Sequence, residues 1–330
     1  MPEKLFRNAL REALDEEMAR DEDVFLIGED IGVFGGAYRV TEGLIDKYGA
    51  RRVVDAPISE EVIAGCAIGA AMSGLRPVVE MMTINFSLLA YDQIVNNAAK
   101  VRYMFGGKVS VPLVIRLPGG AGHQLSSQHS HSFEVLYGLI PGLIVVAPTT
   151  PEDGKGLLKS AIRTNNPVMF LESMSLYNLR GEVPDGDYTT PLGKAAVRRR
   201  GSDLTIIGVS RQSVLATLAG QKLEEEDLDA EVIDLRSIRP IDWETITESV
   251  KRTSRCLVVE EGWPTYGVGA EIAAGIQERC FDDLDAPVHR LGGAEVPMPY
   301  NKGLEKASIP NVDDIVRHAL LTVGKQSAAV

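Results

Sequence analysis

The sequence predicts an α/β protein of two open, mostly parallel sheets with helices on both faces. Three observations carry that prediction. Short β-rich runs alternate with helical stretches along the whole chain. Several runs are continuously apolar rather than alternating, the pattern of parallel strands covered on both faces. The alternation breaks between residues 177 and 194 and then restarts, so the chain divides into two sheets.

The elements follow in order. Residues 1–23 are charged and read as an amphipathic helix. Strands are expected at 24–27, 77–82, 111–117, 143–147 and 168–172, and helices at 60–74, 88–104 and 151–164. Pro151 opens the last helix after Thr149-Thr150, and Asn165-Asn166-Pro167 closes it. The polar turn Glu182-Val183-Pro184-Asp185-Gly186-Asp187 marks a linker over 181–195, between domains 1–180 and 196–330. Further strands are expected at 204–209, 231–235, 256–260 and 288–291, and helices at 212–226, 242–251, 267–279 and 312–323.

Composition narrows the class. A chain of 330 residues can bury two ordinary cores, and its 45% hydrophobic and 24% charged content is that of a soluble globular protein. The net charge of -12 argues against nucleic acid or anionic membrane as partner. Arg198-Arg199-Arg200 reads as a solvated turn. No apolar run reaches membrane-spanning length. Cys66, Cys256 and Cys280, with no Cys-x-x-Cys, fit a reducing compartment rather than a disulfide framework or a zinc site. Cys66 is expected to pack inside its helix. The start has neither a signal-peptide core nor a transit-peptide composition, so a cytoplasmic location is expected.

Three segments suggest chemistry. The turn Asp55-Ala56-Pro57-Ile58-Ser59 delivers Glu60 and Glu61 to the start of a helix of small apolar residues, which is expected to be buried. Glu60 has two readings. It complements the helix dipole, a role Glu61 could serve equally, or it is a carboxylic acid in a poorly hydrated slot, able to share a proton with a ring nitrogen. The second segment, Pro118-Gly119-Gly120-Ala121-Gly122-His123-Gln124-Leu125-Ser126-Ser127-Gln128-His129-Ser130-His131, leaves the end of an expected parallel strand, where ligands bind in open sheets. Its glycines allow close backbone approach to a ligand. His123, His129 and His131 could bind a metal, but no nearby cysteine or His-x-x-x-His spacing supports that reading. In the third, Glu80-Met81-Met82-Thr83-Ile84-Asn85-Phe86-Ser87, Phe86 is either a helix-entry core residue or a surface on which a heterocycle stacks. The glycines of Gly28-Glu29-Asp30-Ile31-Gly32-Val33-Phe34-Gly35-Gly36 and Gly267-Val268-Gly269 do not complete a Gly-x-Gly-x-x-Gly fingerprint, which disfavours a nucleotide-dependent oxidoreductase. There is also no Walker A sequence and no Gly-x-Ser-x-Gly elbow.

Taken together, Gly28-Glu29-Asp30, Pro57-Ile58-Ser59-Glu60, Gly74-Leu75-Arg76-Pro77, Asp92-Gln93-Ile94-Val95-Asn96, Gln128-His129-Ser130, Pro141-Gly142-Leu143, Ala161-Ile162-Arg163, Asn165-Asn166-Pro167, Ile238-Arg239-Pro240 and Gly262-Trp263-Pro264 span nearly the whole chain. On these segments the sequence resembles the beta subunits of the thiamine-diphosphate-dependent decarboxylase component of 2-oxo acid dehydrogenase complexes, most closely the pyruvate dehydrogenase type. The resemblance implies a transketolase-like fold, with a pyrimidine-binding domain and a C-terminal domain for assembly and docking to the acyltransferase core. It implies that Glu60 hydrogen-bonds the pyrimidine ring nitrogen, that Phe86 and Ile58 line that ring's pocket, and that His129 faces the substrate. The implied reaction is oxidative decarboxylation of pyruvate, with acyl transfer to lipoyl groups of a dihydrolipoyl acyltransferase.

The family's Gly-Asp-Gly segment for magnesium and diphosphate has no counterpart here. The resemblance therefore implies an alpha chain that supplies Mg2+ and diphosphate binding, in an alpha2beta2 heterotetramer. It further implies potassium on backbone oxygens of Leu113, Ala161, Ile162, Thr164 and Asn166, at a helix C-terminus that favours a cation; an ordinary capped helix end is the other reading. Branched-chain and acetoin dehydrogenase beta subunits share the chemistry. Met104-Phe105-Gly106-Gly107-Lys108 also occurs in acetoin-type relatives, and the family commonly has a polar residue where Leu89 stands. A non-catalytic assembly subunit is the alternative of another class, against which the retention of both Glu60 and His129 argues.

Overall fold

The computed structural model describes residues 1–325. Contacts divide the chain into two units: Met1–Gly119 with Leu136–Leu192, and Gly120–Val135 with the residues from Gly193 onward. The histidine-rich loop, placed by sequence within the first domain, therefore packs with the second unit.

In the first unit β1 (Glu3–Leu5) leads into α1 (Phe6–Arg20). The sheet is built from β2 (Val24–Gly28), β3 (Val53–Asp55), β4 (Arg76–Glu80), β5 (Val114–Gly119), β6 (Ile144–Val146) and β7 (Val168–Ser173). These strands lie in the order β6-β7-β5-β4-β2-β3, and each pairing among them is parallel. Their helices are α2 (Leu44–Tyr48), α3 (Glu60–Met72), α4 (Val101–Met104), α5 (Glu134–Gly138), through which the chain returns to this unit, and α6 (Pro151–Arg163). β8 (Arg180–Glu182) pairs antiparallel with β1, so the polar stretch read as a linker begins as a strand.

Two expectations for this unit are corrected. The stretch 88–104 is not one helix but a 3-10 turn (Phe86–Ala90), a π turn (Gln93–Ala98) and α4. Close approach accompanies the break: a Cβ on Gly142 would stand 2.1 Å from the Ala99 carbonyl oxygen. The apolar helix α3 is buried on one face only. Ile63, Ala64, Ala67, Ile68 and Ala71 pack inward, whereas Val62, Cys66 and Met72 are exposed. A single stripe of a helix can face its own sheet, so a helix apolar all round needs a second covering surface.

In the second unit the elements are β9 (Ala196–Arg199), β10 (Leu204–Gly208), α7 (Arg211–Leu223), β11 (Ala230–Asp234), β12 (Ser237–Arg239), α8 (Trp243–Thr253), β13 (Cys256–Val259), α9 (Val268–Cys280), β14 (His289–Leu291), α10 (Lys302–Ala307) and α11 (Val312–Thr322). Its sheet runs β14-β13-β10-β11-β9, parallel except for the antiparallel edge strand β9. Leu204, Ile206, Val232 and Leu257 from the strands, with Ala216, Ala219, Ile315 and Ala319 from α7 and α11, form its core. An Asn311–Asp314 capping box starts α11. The arginine run is not a solvated turn. Arg198 and Arg199 lie on β9, where pairing with β11 brings Arg198 to Asp234 at 2.7 Å, and Arg199 reaches Asp229 at 2.8 Å. Charges on an edge strand also oppose unwanted strand pairing.

Candidate active site

The parallel order β3-β2-β4 sets three adjacent carboxyl ends along one sheet edge. Glu29 follows β2, the turn 57–59 leads from β3 to Glu60, and Met81–Phe86 follows β4. This is the edge at which open parallel sheets bind ligands.

Glu60 is the first residue of α3 and is 5% exposed. Among the described residues its side chain makes no hydrogen bond and no ion pair. The exposed Glu61 shares the first turn, so a solvated acid already complements the helix dipole. The fully buried, unbonded side-chain atoms of the described residues belong to Ser130, Ser173 and Gln212, so the Glu60 oxygens keep access to the surface and hydrogen-bonding capacity that a ligand can use. Sequence reading gave no role to Glu29. It is buried nearby, and desolvation, followed by the charges of Glu60 and Asp30, pushes its carboxyl above the usual range.

Ile58, on the turn before Glu60, is 80% exposed, and Phe86 is half-buried at the head of the 3-10 turn. The segment before Phe86 is held from β5: Met81 N–H donates to the Arg116 carbonyl at 3.1 Å and Ile84 N–H to the Pro118 carbonyl at 2.6 Å. Side chains reinforce it. Arg116, 1% exposed, donates from Nε and Nη2 to Glu172 at 2.7 and 2.8 Å and from Nη1 to Glu80. Tyr177 Oη donates to Glu172 at 2.6 Å. Burial pushes the Glu80 carboxyl up, while Arg116 opposes that shift.

At the end of α6, Arg76 Nη1 donates to the carbonyl oxygens of Ile162 (2.9 Å) and Thr164 (3.1 Å), and Nη2 donates to Asn165 Oδ1 at 2.7 Å. Two of the five backbone oxygens expected to hold potassium thus already face a cation. Leu113 O, a third, accepts from Val168 N–H at 2.8 Å.

In the second unit, His129 is half-buried and its N–H donates to the Ser126 carbonyl at 3.3 Å. His123 is exposed, and His131 stacks on Phe133 with ring centroids 4.1 Å apart. Burial, with His129 nearby, pushes the His131 imidazole down. No group of three His, Cys, Asp or Glu side chains placed to hold a metal occurs among the described residues. Ser130 Oγ is buried without a partner among the described residues, and Ser130 lines a cavity of about 30 Å³ with Glu261 and Trp263.

Behind this loop burial pushes Glu134 up to about 7, and Glu260 also to about 7. Glu260 is buried and accepts the Gly269 N–H at 3.1 Å. Its folded pKa lies above the ordinary 4.5, so its contribution to stability is complete below about pH 4.5 and is lost as pH rises through about 7. Glu260→Gln keeps an acceptor oxygen and removes that titration. The variant is expected to exceed the parent in stability at pH 8, by at most about 3 kcal/mol, and to match it at pH 4.5. Melting curves at the two pH values test this; a parent at least as stable as the variant at pH 8 would reject it.

A parallel sheet with an acid at its strand ends, and a second, mostly parallel open sheet, are the architecture of a transketolase-like protein. The family model for the transketolase pyrimidine-binding domain matches residues 3–180, and that for the transketolase C-terminal domain matches 193–315. A solved structure titled "Split gene transketolase, inactive beta4 tetramer" has the same fold, with a TM-score of 0.79 and 21% identity over 98% of this chain and 99% of that one. The chain is 50% identical over 317 residues to the mitochondrial pyruvate dehydrogenase E1 component subunit beta of Dictyostelium discoideum, covering 95% of this chain and 89% of that protein. It is 48% identical to the subunit beta of Rickettsia felis (strain ATCC VR-1525 / URRWXCal2), covering 94% and 95% respectively. It is also 50% identical to that of Rhizobium meliloti (strain 1021), covering 94% and 68%. The chain belongs to the family of pyruvate dehydrogenase E1 component beta subunits.

Proposed function

We propose that this chain is the beta subunit of a thiamine-diphosphate-dependent pyruvate dehydrogenase, decarboxylating pyruvate and passing the acyl group to lipoyl groups of a dihydrolipoyl acyltransferase core. The observation that carries the reading is Glu60, 5% exposed at a strand-end helix start and without a protein partner among the described residues. An aminopyrimidine ring fits that vacancy in the hydrogen-bonding pattern, because a ring nitrogen is the partner a half-desolvated carboxyl lacks. The bound cofactor supplies the electron sink for the carbon that loses carbon dioxide. Glu60 holds a proton at the ring nitrogen, and Glu29 keeps the surroundings acidic. Phe86 and Ile58 wall the ring, while His129 orients the substrate and its acyl group.

Magnesium and the diphosphate go to an alpha chain, in an alpha2beta2 heterotetramer. The exposed apolar face of α3 and the exposed Leu88, Leu89, Tyr103 and Met104 support a covering partner. Potassium remains part of the proposal, on Leu113, Ala161, Ile162, Thr164 and Asn166 oxygens, of which Ile162 and Thr164 also accept from Arg76. So does a cytoplasmic location; no helix among the described residues is long and apolar enough to cross a membrane.

The test is a panel of 2-oxo acids offered to the chain co-expressed with an alpha subunit, following carbon dioxide release with magnesium and potassium varied separately. Pyruvate is expected to turn over fastest, with no activity from the chain alone. Preference for a branched 2-oxo acid would reject the substrate assignment, and magnesium-dependent turnover by the chain alone would reject the partner.

A further inference from the structure

The loop that carries His129 is tied down by two carboxylates far away in sequence. Ala121 N–H donates to Glu261 Oε1 at 2.7 Å. Gly122 and Gln124 N–H groups donate to Glu305 Oε1 at 2.9 and 3.0 Å, and Gln124 N–H also reaches Oε2 at 3.3 Å. At the far end of the loop Ser132 Oγ donates to the same Glu261 Oε1 at 2.9 Å, and Gly120 N–H donates to the His131 carbonyl at 3.0 Å. Arg211 Nη1 holds the other Glu261 oxygen at 3.1 Å. Glu305 is 2% exposed and Glu261 is also buried.

Neighbouring N–H groups that converge on one anion form a concavity normally seen around bound phosphates and other anions. Here the anion belongs to the protein. The backbone needs it: φ is +56° at Gln124 and +65° at Ser126, a region that non-glycine residues enter at a free-energy cost and keep only when their surroundings fix them. Charge-assisted bonds from backbone N–H to carboxylate are strong enough to do so. His129 lies between the two anchored ends, and its own N–H is bonded to the carbonyl of Ser126, one of the strained residues.

We propose that Glu305 and Glu261 are positioning residues for His129, their carboxylates holding residues 121–132 in the conformation that sets where the imidazole sits. The inference rests on the role given to His129 under the proposed function. Misplacement of a reacting group by about 1 Å costs on the order of 100-fold in rate, so loosening this clamp acts on turnover without removing any group that touches substrate.

The test uses the assembled enzyme with its alpha subunit and compares Glu305→Ala, Glu305→Gln, His129→Ala and the Glu305→Ala/His129→Ala pair. Acyl transfer to a lipoyl acceptor and amide hydrogen exchange over residues 120–132 are measured for each. Glu305→Ala is expected to lose roughly tenfold or more in turnover and to lose exchange protection at Ala121, Gly122 and Gln124, with the Gln variant intermediate. In the His129→Ala background the same change is expected to cost almost nothing, because a residue acting through His129 has nothing left to position. Equal losses in both backgrounds would overturn the inference, as would unchanged exchange in an active Glu305→Ala enzyme. Full turnover by His129→Ala would instead remove the histidine's assigned role, and the inference with it. If Glu305→Ala fails to assemble, the comparison runs on Glu305→Gln with the same criteria.

Discussion

Glu60→Gln is expected to leave folding and assembly intact and to cut 2-oxo acid decarboxylation by about 100- to 10,000-fold, the contribution of a positioned acid–base group. Glutamine is nearly the same size and fills the same buried volume at the start of α3. It sacrifices no protein hydrogen bond, since the Glu60 side chain makes none among the described residues. Activity is therefore expected to fall while stability holds, a signature that a merely structural acid cannot give. Carbon dioxide release and thermal melting of the same assembled variant check it. Turnover within threefold of the parent would refute the assignment, and loss of assembly would show that Glu60 is structural after all.

Arg116→Ala is expected to be the most destabilising single change in the first unit, by about 3–5 kcal/mol. The guanidinium stands between Glu80 and Glu172, all three are buried, and Tyr177 completes the network through Glu172. Deleting it leaves two buried carboxylates uncompensated. Both then resist ionisation, so their folded pKa values rise above the unfolded ones. The defect is therefore smallest at low pH, where both are protonated in either state, and grows as pH rises through those raised values. Denaturant unfolding at pH 5 and pH 8 measures it, and adding Glu80→Gln and Glu172→Gln is expected to recover part of the loss at pH 8. A variant as stable as the parent at pH 8 would contradict this account.

Continuous apolar runs made β6 and β7 legible, because strands buried on both faces need no alternation; β2, equally apolar in sequence, is fully buried only at alternate positions. The N-terminal signal Thr149-Thr150-Pro151 located α6, whose Thr150 side chain accepts from Asp153 N–H. Three-residue strands such as β3 and β8 were not legible, since their pairing rather than their composition makes them strands. Arg198 and Arg199 misled for the same reason: cross-strand carboxylates on β11 and the loop before it, invisible locally, turn a charge run into an edge strand. Among the candidate residues, Ile58, Glu60 and Phe86 of the first unit and His129 of the second were readable as motif residues. The groups around them were not. Glu29 sat in a segment judged only for its glycines. Arg116 reaches partners 36 and 56 positions away, and the carboxylates on the His129 loop come from 140 and 183 positions downstream. Such pairings are set by topology, which a local pattern does not encode.

In the assembly proposed above, the bare outer stripe of α3, with Val62, Cys66 and Met72 turned to water, would tie each copy to the supply of another polypeptide. Molecules synthesised in surplus would carry greasy, thiol-bearing surface with nothing to cap it. Matched output of the two chains would then follow from one helix.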